Sequence, residues 1–493
     1  MVLLGRKIKD EVKALLRQGM LFREQIFIQH LATPRHFRLY RIAPTLIVIA
    51  SCVPGAIQAG TVSCQDQARG EPDRPVVSGD EVIIQKCPPT IEKRRRSEQR
   101  QITHPVADKT RSEKPQNNID IIDITTLGAV ADGKSDTYPI LMKALKNASI
   151  IHIPRGDFFV SRSIKIPSNV DKIYGPGALV GGDQFGIIRQ TNSLKNIEIS
   201  GLTFRFTPTK DTIYGAIYFD GGKFENITIK DCTFLGGKHQ TNAILMVGKD
   251  KNTITNLRII SNQFINIRRA AIEILHRTRG VNVPSAVNKV IIKDNAFKYT
   301  LDSNPTSRGF NPAISLSQIV RDTRIDSNSI SGYKWGIEVD GAINTAITNN
   351  TITQVEDAIN SGNNARDTQV TNNLLSSKRR TQFRDDFGLL IKSNQIEGPL
   401  HLVRTHGAVV EGNTISGTEK VNVWIDNAQG SMIVDNTIIN RSSHPWDAIR
   451  GYGNKSDSSN KVFDNRISIV NGVLTRNSDG ATVDFGENVA IKE

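Results

Sequence analysis

Apolar residues in the C-terminal three-quarters of the chain recur with a period of two rather than 3.6. Ile272 and Ile274 alternate with polar residues, and the same alternation returns at Ile337 and Val339. Alternation over such short runs is typical of β-strands, whose successive side chains point to opposite faces. The pattern therefore predicts many short strands that are separated by polar turns.

A short motif, Asn followed by any residue and then a large apolar residue, recurs from residue 262 onward. It occurs as Asn262-Gln263-Phe264, Asn295-Ala296-Phe297, Asn328-Ser329-Ile330, Asn350-Thr351-Ile352, Asn373-Leu374-Leu375, Asn394-Gln395-Ile396, Asn413-Thr414-Ile415, Asn436-Thr437-Ile438 and Asn465-Arg466-Ile467. Successive Asn residues are 33, 33, 22, 23, 21, 19, 23 and 29 positions apart. A base period near 22 residues with insertions indicates a solenoid.

Each repeat is long enough for three short strands wound once around an axis, so equivalent residues should stack about 4.8 Å apart. Asn at a turn can bond its neighbours along such a stack and tolerates left-handed backbone angles. Cys232 stands in the Asn position of an earlier repeat. The Asn residues therefore have a structural explanation, and we assign them no catalytic role.

An open solenoid needs a cap over its first apolar layer, and residues 127–147 are predicted to supply one that includes a helix. Asp136 or Thr137 can cap this helix, and Pro139 suits its first turn. Four apolar residues follow at helical spacing: Ile140, Leu141, Ala144 and Leu145.

This N-terminal segment resembles that of the pectate-lyase-like superfamily. The resemblance rests on Gly128-Ala129, Asp132-Gly133 and Asp136-Thr137, then the helix and Ile153-Pro154-Arg155-Gly156, and it extends from about 124 to about 470. It implies an all-β fold, a right-handed parallel β-helix, as in polysaccharide lyases, family 28 glycoside hydrolases, epimerases and phage tailspikes. One fold hosts many activities, so the resemblance does not fix the reaction.

The first quarter of the chain has a different character. Residues 1–117 hold 20 Lys and Arg against 12 Asp and Glu, which is more than half of the chain's net charge of +14. An apolar stretch from Ile42 to Ala59 follows a cationic flank, as in a secretory signal or a membrane anchor. Ile49-Ala50-Ser51-Cys52 resembles a lipobox, in which Cys52 would be lipidated. We expect residues 1–59 to direct export, 60–117 to form a basic linker, 118–480 to form the β-helix and 481–493 a tail.

Cysteine and glycine spacing restrict the cofactors. No Cys-x-x-Cys pair and no Cys/His ligand spacing occurs, so we expect no zinc site, whereas a Cys64–Cys87 disulfide would be compatible with export. No phosphate-binding glycine loop opens a helix. We expect no nucleic-acid partner and no cofactor, except that a lyase could use Ca²⁺.

Aligning the repeats by their Asn residues predicts an outward row of polar side chains on one sheet. Its first members are Glu273, Ser315 and Glu338, with Asn360, Trp424 and Arg450 further along, and His401 between them. Carboxylates, an aromatic ring and a cation suit a polysaccharide-binding groove. The plain alternative is that these are solvated strand residues.

Two pairs of carboxylates fit an inverting hydrolase, whose acid and base stand about 6.5–9.5 Å apart. Glu273 and Glu338 lie two coils apart, about 10 Å between backbones, and Glu338 and Asp340 share a face about 7 Å apart. Asp385-Asp386 followed by His406 is similar to the family 28 pattern, although Asn-x-Asp and Arg-x-Lys are lacking. The alternative is that Asp385 is a turn residue, aligned with Asp340 and Asp426.

The leading hypothesis is an exported protein that hydrolyses a polysaccharide, and the basic net charge of the chain suggests an acidic one. The candidate catalytic residues are Glu338, Asp340, Glu273, Asp385, Asp386 and His406, and the candidate substrate-binding residues are His401, Arg404, Trp424, Asp426 and Arg450. A lyase or epimerase would draw on Arg404, Arg277, His276, His401 and His406. The third hypothesis is a carbohydrate-binding or surface-assembly solenoid without catalysis. The sequence leaves the oligomeric state open, and membrane attachment would be through the N-terminus.

Overall fold

The computed structural model describes residues 120–491 apart from 250–251, 278–285, 302–308, 418–420, 454–458 and 479–482. Within this part the chain winds as a parallel β-helix with three sheets, as the repeat predicts. No helix in the described residues is both long and apolar enough to cross a membrane. The predictions of an export signal or anchor, lipidation at Cys52, a linker and a Cys64–Cys87 disulfide concern residues outside this part.

Sheet 1 has 15 strands, and each pairs in parallel with the corresponding strand of the next coil. Its strands are Ile121–Asp123, Ile150–His152, Lys172–Tyr174, Leu194–Ser200, Phe224–Lys230, Ile254–Ile260, Val287–Lys293, Val320–Asp326, Ile343–Thr348, Gln369–Thr371, Leu390–Lys392, Val409–Glu411, Met432–Val434, Asn460–Phe463 and Val483–Phe485.

Sheets 2 and 3 are joined, because Thr351–Gly362 and Leu374–Arg384 run around the corner between them and belong to both. The other strands of sheet 2 are Asp132–Asp136, Asp157–Val160, Ala178–Gly181, Thr203–Phe206, Thr233–Leu235, Gln263–Ile265, Ala296–Lys298, Ser329–Ser331, Gln395–Glu397, Thr414–Gly417, Thr437–Asn440, Arg466–Ile469 and Val489–Ala490. The other strands of sheet 3 are Ile188–Gln190, Gly215–Asp220, Asn242–Gly248, Ile272–His276, Pro312–Ser317, Trp335–Asp340, Leu400–Val403, Val423–Asp426, Ile449–Tyr452 and Thr475–Ser478.

The core consists of inward side chains that repeat from coil to coil. On sheet 2, the buried rings of Phe204, Phe234, Phe264 and Phe297 stack with centroids 5.0, 4.9 and 4.7 Å apart. This separation is close to the spacing between paired strands, so the backbone pairing itself sets the distance between the rings. The large apolar residue of each motif is therefore a core residue.

The motif asparagines form a buried ladder, as predicted. Asn373, for example, accepts from Nδ2 of Asn350 at 3.0 Å and donates to Oδ1 of Asn394 at 2.9 Å. Cys232 takes the Asn place, with its backbone N–H donating to Asn262 Oδ1 at 3.0 Å. The left-handed angles, however, belong to the residue before each ladder Asn, such as Asn372 with φ of 58°. Asn tolerates these angles, but the ladder Asn residues themselves do not adopt them.

The predicted helix is present as Tyr138–Asn147, preceded by a 3₁₀ helix at Ile124–Leu127. Leu141, Ala144 and Leu145 are buried in the same core as the first strands. Thr137 is at the N-cap but makes no side-chain bond there, whereas Asp136 accepts from the Tyr138 N–H at 3.1 Å. Asp136 thus performs the capping.

The β-helix continues beyond residue 480, where we expected a tail. Val483–Phe485 pairs with sheet 1 and Val489–Ala490 with sheet 2. Asn488 extends the ladder by accepting from Asn465 Nδ2 at 2.9 Å. The boundary was wrong because this last coil lacks the large apolar residue that completes the motif.

Candidate functional site

Sheet 3 carries an outer row of side chains whose register brings together residues far apart in sequence. The strand pairings align, one coil after another, Glu273, Ser315, Glu338, Asn360, Gln382, His401, Trp424 and Arg450. We call this set the outer row. Two residues later on the same face is a second outer row of Ser317, Asp340, Gly362, Arg384, Val403 and Asp426.

Glu338 lies near the centre of the outer row and is partly buried. Burial raises the pKa of its carboxyl group to about 7, and the negative charges of Asp340 and Glu273 act in the same direction. The Ser315 hydroxyl donates to Glu338 Oε2 at 2.7 Å, which opposes the rise in pKa without cancelling it. A carboxyl group that still holds its proton near neutral pH is suited to general acid catalysis.

Glu273, the other glutamate of the row, is held in an ion pair. Asn242 Nδ2 donates to Glu273 Oε2 at 2.6 Å, and the Arg269 guanidinium bonds the same oxygen and approaches Oε1 at 3.4 Å. Arg269 also lies over the Phe310 ring, 4.8 Å from its centroid. Both carboxylate oxygens are therefore engaged, and Glu273 has little freedom to exchange a proton with a ligand.

Asp340 stands two residues after Glu338 on the same face, so their backbones are about 7 Å apart. The Asn363 side chain donates to Asp340 Oδ1, and the negative charge of Asp340 contributes to the raised pKa of Glu338. The site thus holds a protonated carboxyl group beside a carboxylate that is bonded as an acceptor.

The far end of the outer row is aromatic and basic. His401 and Trp424 are 5.8 Å apart by ring centroids, and the Arg450 guanidinium lies 5.6 Å from the Trp424 centroid. Asp447, which is 3% exposed, orients Arg450 through a contact of 3.2 Å. Asp426 lies on the second outer row and accepts from Asn427 at 2.7 Å. An aromatic face with adjacent polar groups can bind a sugar ring by stacking.

The structure does not add Asp385, Asp386 or His406 to this row. Asp385 follows the second outer row by one position, at the corner, and pairs with Arg404 at 2.6 and 2.8 Å. Its alignment with Asp340 and Asp426 was therefore wrong by one residue. Asp386 is 1% exposed inside the coil, and His406 stacks on Phe387 at 4.6 Å. Asp385 and Asp386 turn opposite ways, so they do not form a pair open to solvent.

Asp386 is a buried carboxyl group whose pKa burial raises to about 8. Ser361 donates to its Oδ2 at 2.6 Å, while Oδ1 makes no bond within the described residues. Because both the group and its partner face the interior, Asp386 contributes to the core and not to the outer row.

The side chains considered for a lyase are also dispersed. His276 is fully buried, Arg277 stands 3.8 Å from Asp220, and Arg404 is engaged with Asp385. In the part of the chain that the structure describes, no group of three or more His, Cys, Asp or Glu side chains could hold a metal ion.

Sequence reasoning missed Gln382, which lies between Asn360 and His401 on the outer row and is 4% exposed. Its strand has Thr381 and Phe383 where other coils have branched aliphatic residues, so the alternation is hard to recognise.

A groove of about 530 Å³ lies at the corner between sheets 2 and 3, beside the strands that carry His401 and Trp424. Serine hydroxyls and charged groups line it, including Ser377, Lys378, Glu397 and Arg441. The groove continues the polar surface from the His401 and Trp424 end of the outer row toward sheet 2.

Comparison with known proteins agrees with this architecture. Residues 320–489 match the family model described as a right handed beta helix region. The parallel sheets and this match agree on the fold, which is a right-handed parallel β-helix.

Individual relatives are distant. The pre-neck appendage protein of Bacillus phage B103 is 32% identical over 149 residues, which are 30% of this chain and 15% of that protein. The chain thus spans only a small part of this relative's length. The surface adhesin PfbA of Streptococcus pneumoniae is 14% identical with a TM-score of 0.48, over 73% of this chain and 93% of that one. A double-mutant tailspike protein of E. coli bacteriophage HK620 is 13% identical with a TM-score of 0.49, over 75% and 78%.

Proposed function

We propose that this chain is an exported or surface-located protein that binds a polysaccharide along the outer row and hydrolyses a glycosidic bond beside Glu338. The observation that carries the proposal is the pairing of Glu338, whose pKa is raised to about 7, with the acceptor-type carboxylate Asp340 on the same face. Glycoside hydrolysis uses two carboxyl groups, one of which has a raised pKa and can donate a proton near neutral pH.

In this reaction Glu338 acts as the general acid and gives its proton to the leaving glycosidic oxygen as the bond to the anomeric carbon breaks. Asp340 acts as the general base and takes a proton from a water molecule, whose oxygen forms the new bond to that carbon. The proton then passes from Asp340 to Glu338 through solvent. The stereochemical outcome depends on the separation of the two carboxyl groups, which is about 6.5–9.5 Å in inverting enzymes, where it leaves room for the water, and about 5–5.5 Å in retaining ones.

Glu273 is better suited to raising the pKa of Glu338 than to transferring a proton itself. Arg269 and Asn242 engage both of its oxygens, and its charge contributes to the raised pKa of Glu338. We therefore prefer the pair Glu338 and Asp340 over the pair Glu273 and Glu338. Two of the expected substrate-binding groups, Trp424 and Arg450, would hold sugar units further along the row, next to the groove.

The test is product analysis by mass spectrometry after the full chain is incubated with a panel of bacterial and plant polysaccharides. Fragments that carry one added water support hydrolysis, and Glu338→Gln should abolish them. Glu411→Gln is the matched control, because Glu411 lies on sheet 1 in an exposed pair with Lys392. Fragments without added water and with an unsaturated uronate end would replace hydrolysis by a lyase reaction, and their loss on chelation would point to Ca²⁺.

A second candidate is a surface-assembly solenoid without catalysis, and the similarity to a phage appendage protein favours it. Binding of a polysaccharide with no product from any member of the panel, in both the unmodified chain and Glu338→Gln, would select this candidate.

A further inference from the structure

The second outer row of sheet 3 contains a gap beside the proposed catalytic pair. Gly362 stands between Asp340 and Arg384 on successive coils, and it presents no side chain. A Cβ atom built on Gly362 would meet only the Arg384 carbonyl oxygen, at 3.6 Å. Because paired strands lie about 4.8 Å apart, the gap spans about 10 Å between the backbones of Asp340 and Arg384.

Arg384 differs from the other arginines of this region in its partners. It makes no ion pair among the described residues, and its Nε is buried without a hydrogen-bond acceptor. Neighbouring arginines are each matched to a carboxylate, namely Arg269 with Glu273, Arg379 with Asp357, Arg404 with Asp385 and Arg450 with Asp447. The Nε of Arg384 has lost its hydration without gaining an acceptor, and among the described residues no carboxylate balances the charge of this half-buried guanidinium, so a ligand carboxylate at its terminal nitrogens would supply the missing partner.

We infer that Arg384 binds a carboxylate of the polysaccharide, with the sugar that carries it seated in the gap over Gly362. A guanidinium offers parallel N–H donors that match the two oxygens of a carboxylate. Asp340 at the other edge repels the same group, so the acidic sugar is held toward Arg384 and the bond to be cleaved lies toward Glu338. This inference rests on the proposed function and defines its substrate class, a glycan with carboxylate-bearing sugars.

The inference is tested by binding of the full chain to alginate, polygalacturonate and hyaluronan, each compared with its own carboxyl-reduced form. The unmodified chain should bind at least one acidic polymer more tightly than the reduced form. Arg384→Gln should weaken that binding by about 10- to 100-fold, because it removes a charge-assisted pair, and should leave binding of the reduced form unchanged. Arg258→Gln is the control, since Arg258 is exposed on sheet 1 and carries the same charge.

A second pair of variants tests the gap itself. Gly362 does not have a positive φ, so other residues can take its place without backbone strain. Gly362→Met should fill the gap and remove the preference for the acidic polymer, whereas Gly362→Ala should retain it. Circular dichroism and the midpoint of urea unfolding establish that both variants fold.

The inference is overturned if no acidic polymer is preferred over its reduced form, or if Arg384→Gln and Arg258→Gln have equal effects. Cleavage of a neutral or reduced glycan that depends on Glu338 would leave the proposed function standing while this inference fails. If the chain binds none of the six polymers and cleaves no glycan, both the proposed function and this inference are wrong.

Discussion

Replacing Glu338 by Gln should change the pH dependence of stability as well as activity. The folded-state pKa of Glu338 is raised from 4.5 to about 7. Below pH 4.5 the carboxyl group is protonated in both the folded and the unfolded chain, so it adds no pH dependence. As the pH rises from 4.5 to about 7, the unfolded chain ionises first and the free energy of unfolding falls.

The size of this loss follows from the displacement of the pKa. At 1.36 kcal/mol for each pH unit, a rise from 4.5 to about 7 costs the folded state about 3 kcal/mol once the pH exceeds 7. Glu338→Gln keeps a neutral side chain of similar size that can still accept from Ser315. We expect the variant to match the unmodified chain near pH 4 and to be more stable at pH 8, by up to about 3 kcal/mol.

Urea unfolding of the full-length chain, followed by circular dichroism at pH 4, 6 and 8, measures this difference. Glu411→Gln serves as the control and should change stability by less than about 1 kcal/mol at each pH, because its ion pair is exposed. The difference in stability between Glu338→Gln and the unmodified chain should grow from pH 4 to pH 8. If it is the same at all three pH values, the pKa of Glu338 is not raised, and Glu338 is not suited to act as the general acid.

Other outcomes follow from the same structure. Cleavage should decline above about pH 7 as Glu338 loses its proton, and a rate that stays constant to pH 9 would argue against this acid. Asn373→Ala should lower the free energy of unfolding in urea by about 3 kcal/mol, because buried partners in two neighbouring coils lose their bonds. Asn226→Gly, which removes an exposed side-chain bond to Asn196 on sheet 1, should cost less than about 1 kcal/mol. Phe264→Ala should cost about 3–5 kcal/mol by thermal unfolding, and a smaller loss would mean that the stack closes over the cavity. Trp424→Ala should weaken glycan binding about tenfold by titration calorimetry without changing the thermal midpoint, since its ring lies on the outer face.

The fold could be predicted because its main determinants repeat along the chain. Each coil carries an Asn and a large apolar residue at a fixed offset, and the strand register then follows from aligning these positions. This is why Glu273, Ser315 and Glu338 could be placed on one outer row from the sequence. The last coil was missed for the same reason, since Asn488 is followed by Val489 and Ala490 rather than by a large apolar residue.

The chemistry of the site depends on contacts that spacing does not encode. The ion pair of Glu273 with Arg269 is local, but its second partner, Asn242, comes from the coil before. The opposite orientations of Asp385 and Asp386 depend on a left-handed backbone at Asp385, with φ of 57° at the corner. Alternation is lost wherever such a residue turns the chain, so the pattern could not show which aspartate faces inward.

The buried Asn ladder fixes the distance between successive coils without fixing the number of residues in each coil. Coils of 33 and of 19 residues between successive ladder positions place their Nδ2 and Oδ1 atoms 3.0 and 2.9 Å apart. Residues can therefore be added to or removed from a corner loop while the strands above and below keep their register. A scaffold of this kind separates the part that must be conserved for folding from the part that can vary to fit a new ligand, so specificity can diverge on one face while the core stays the same.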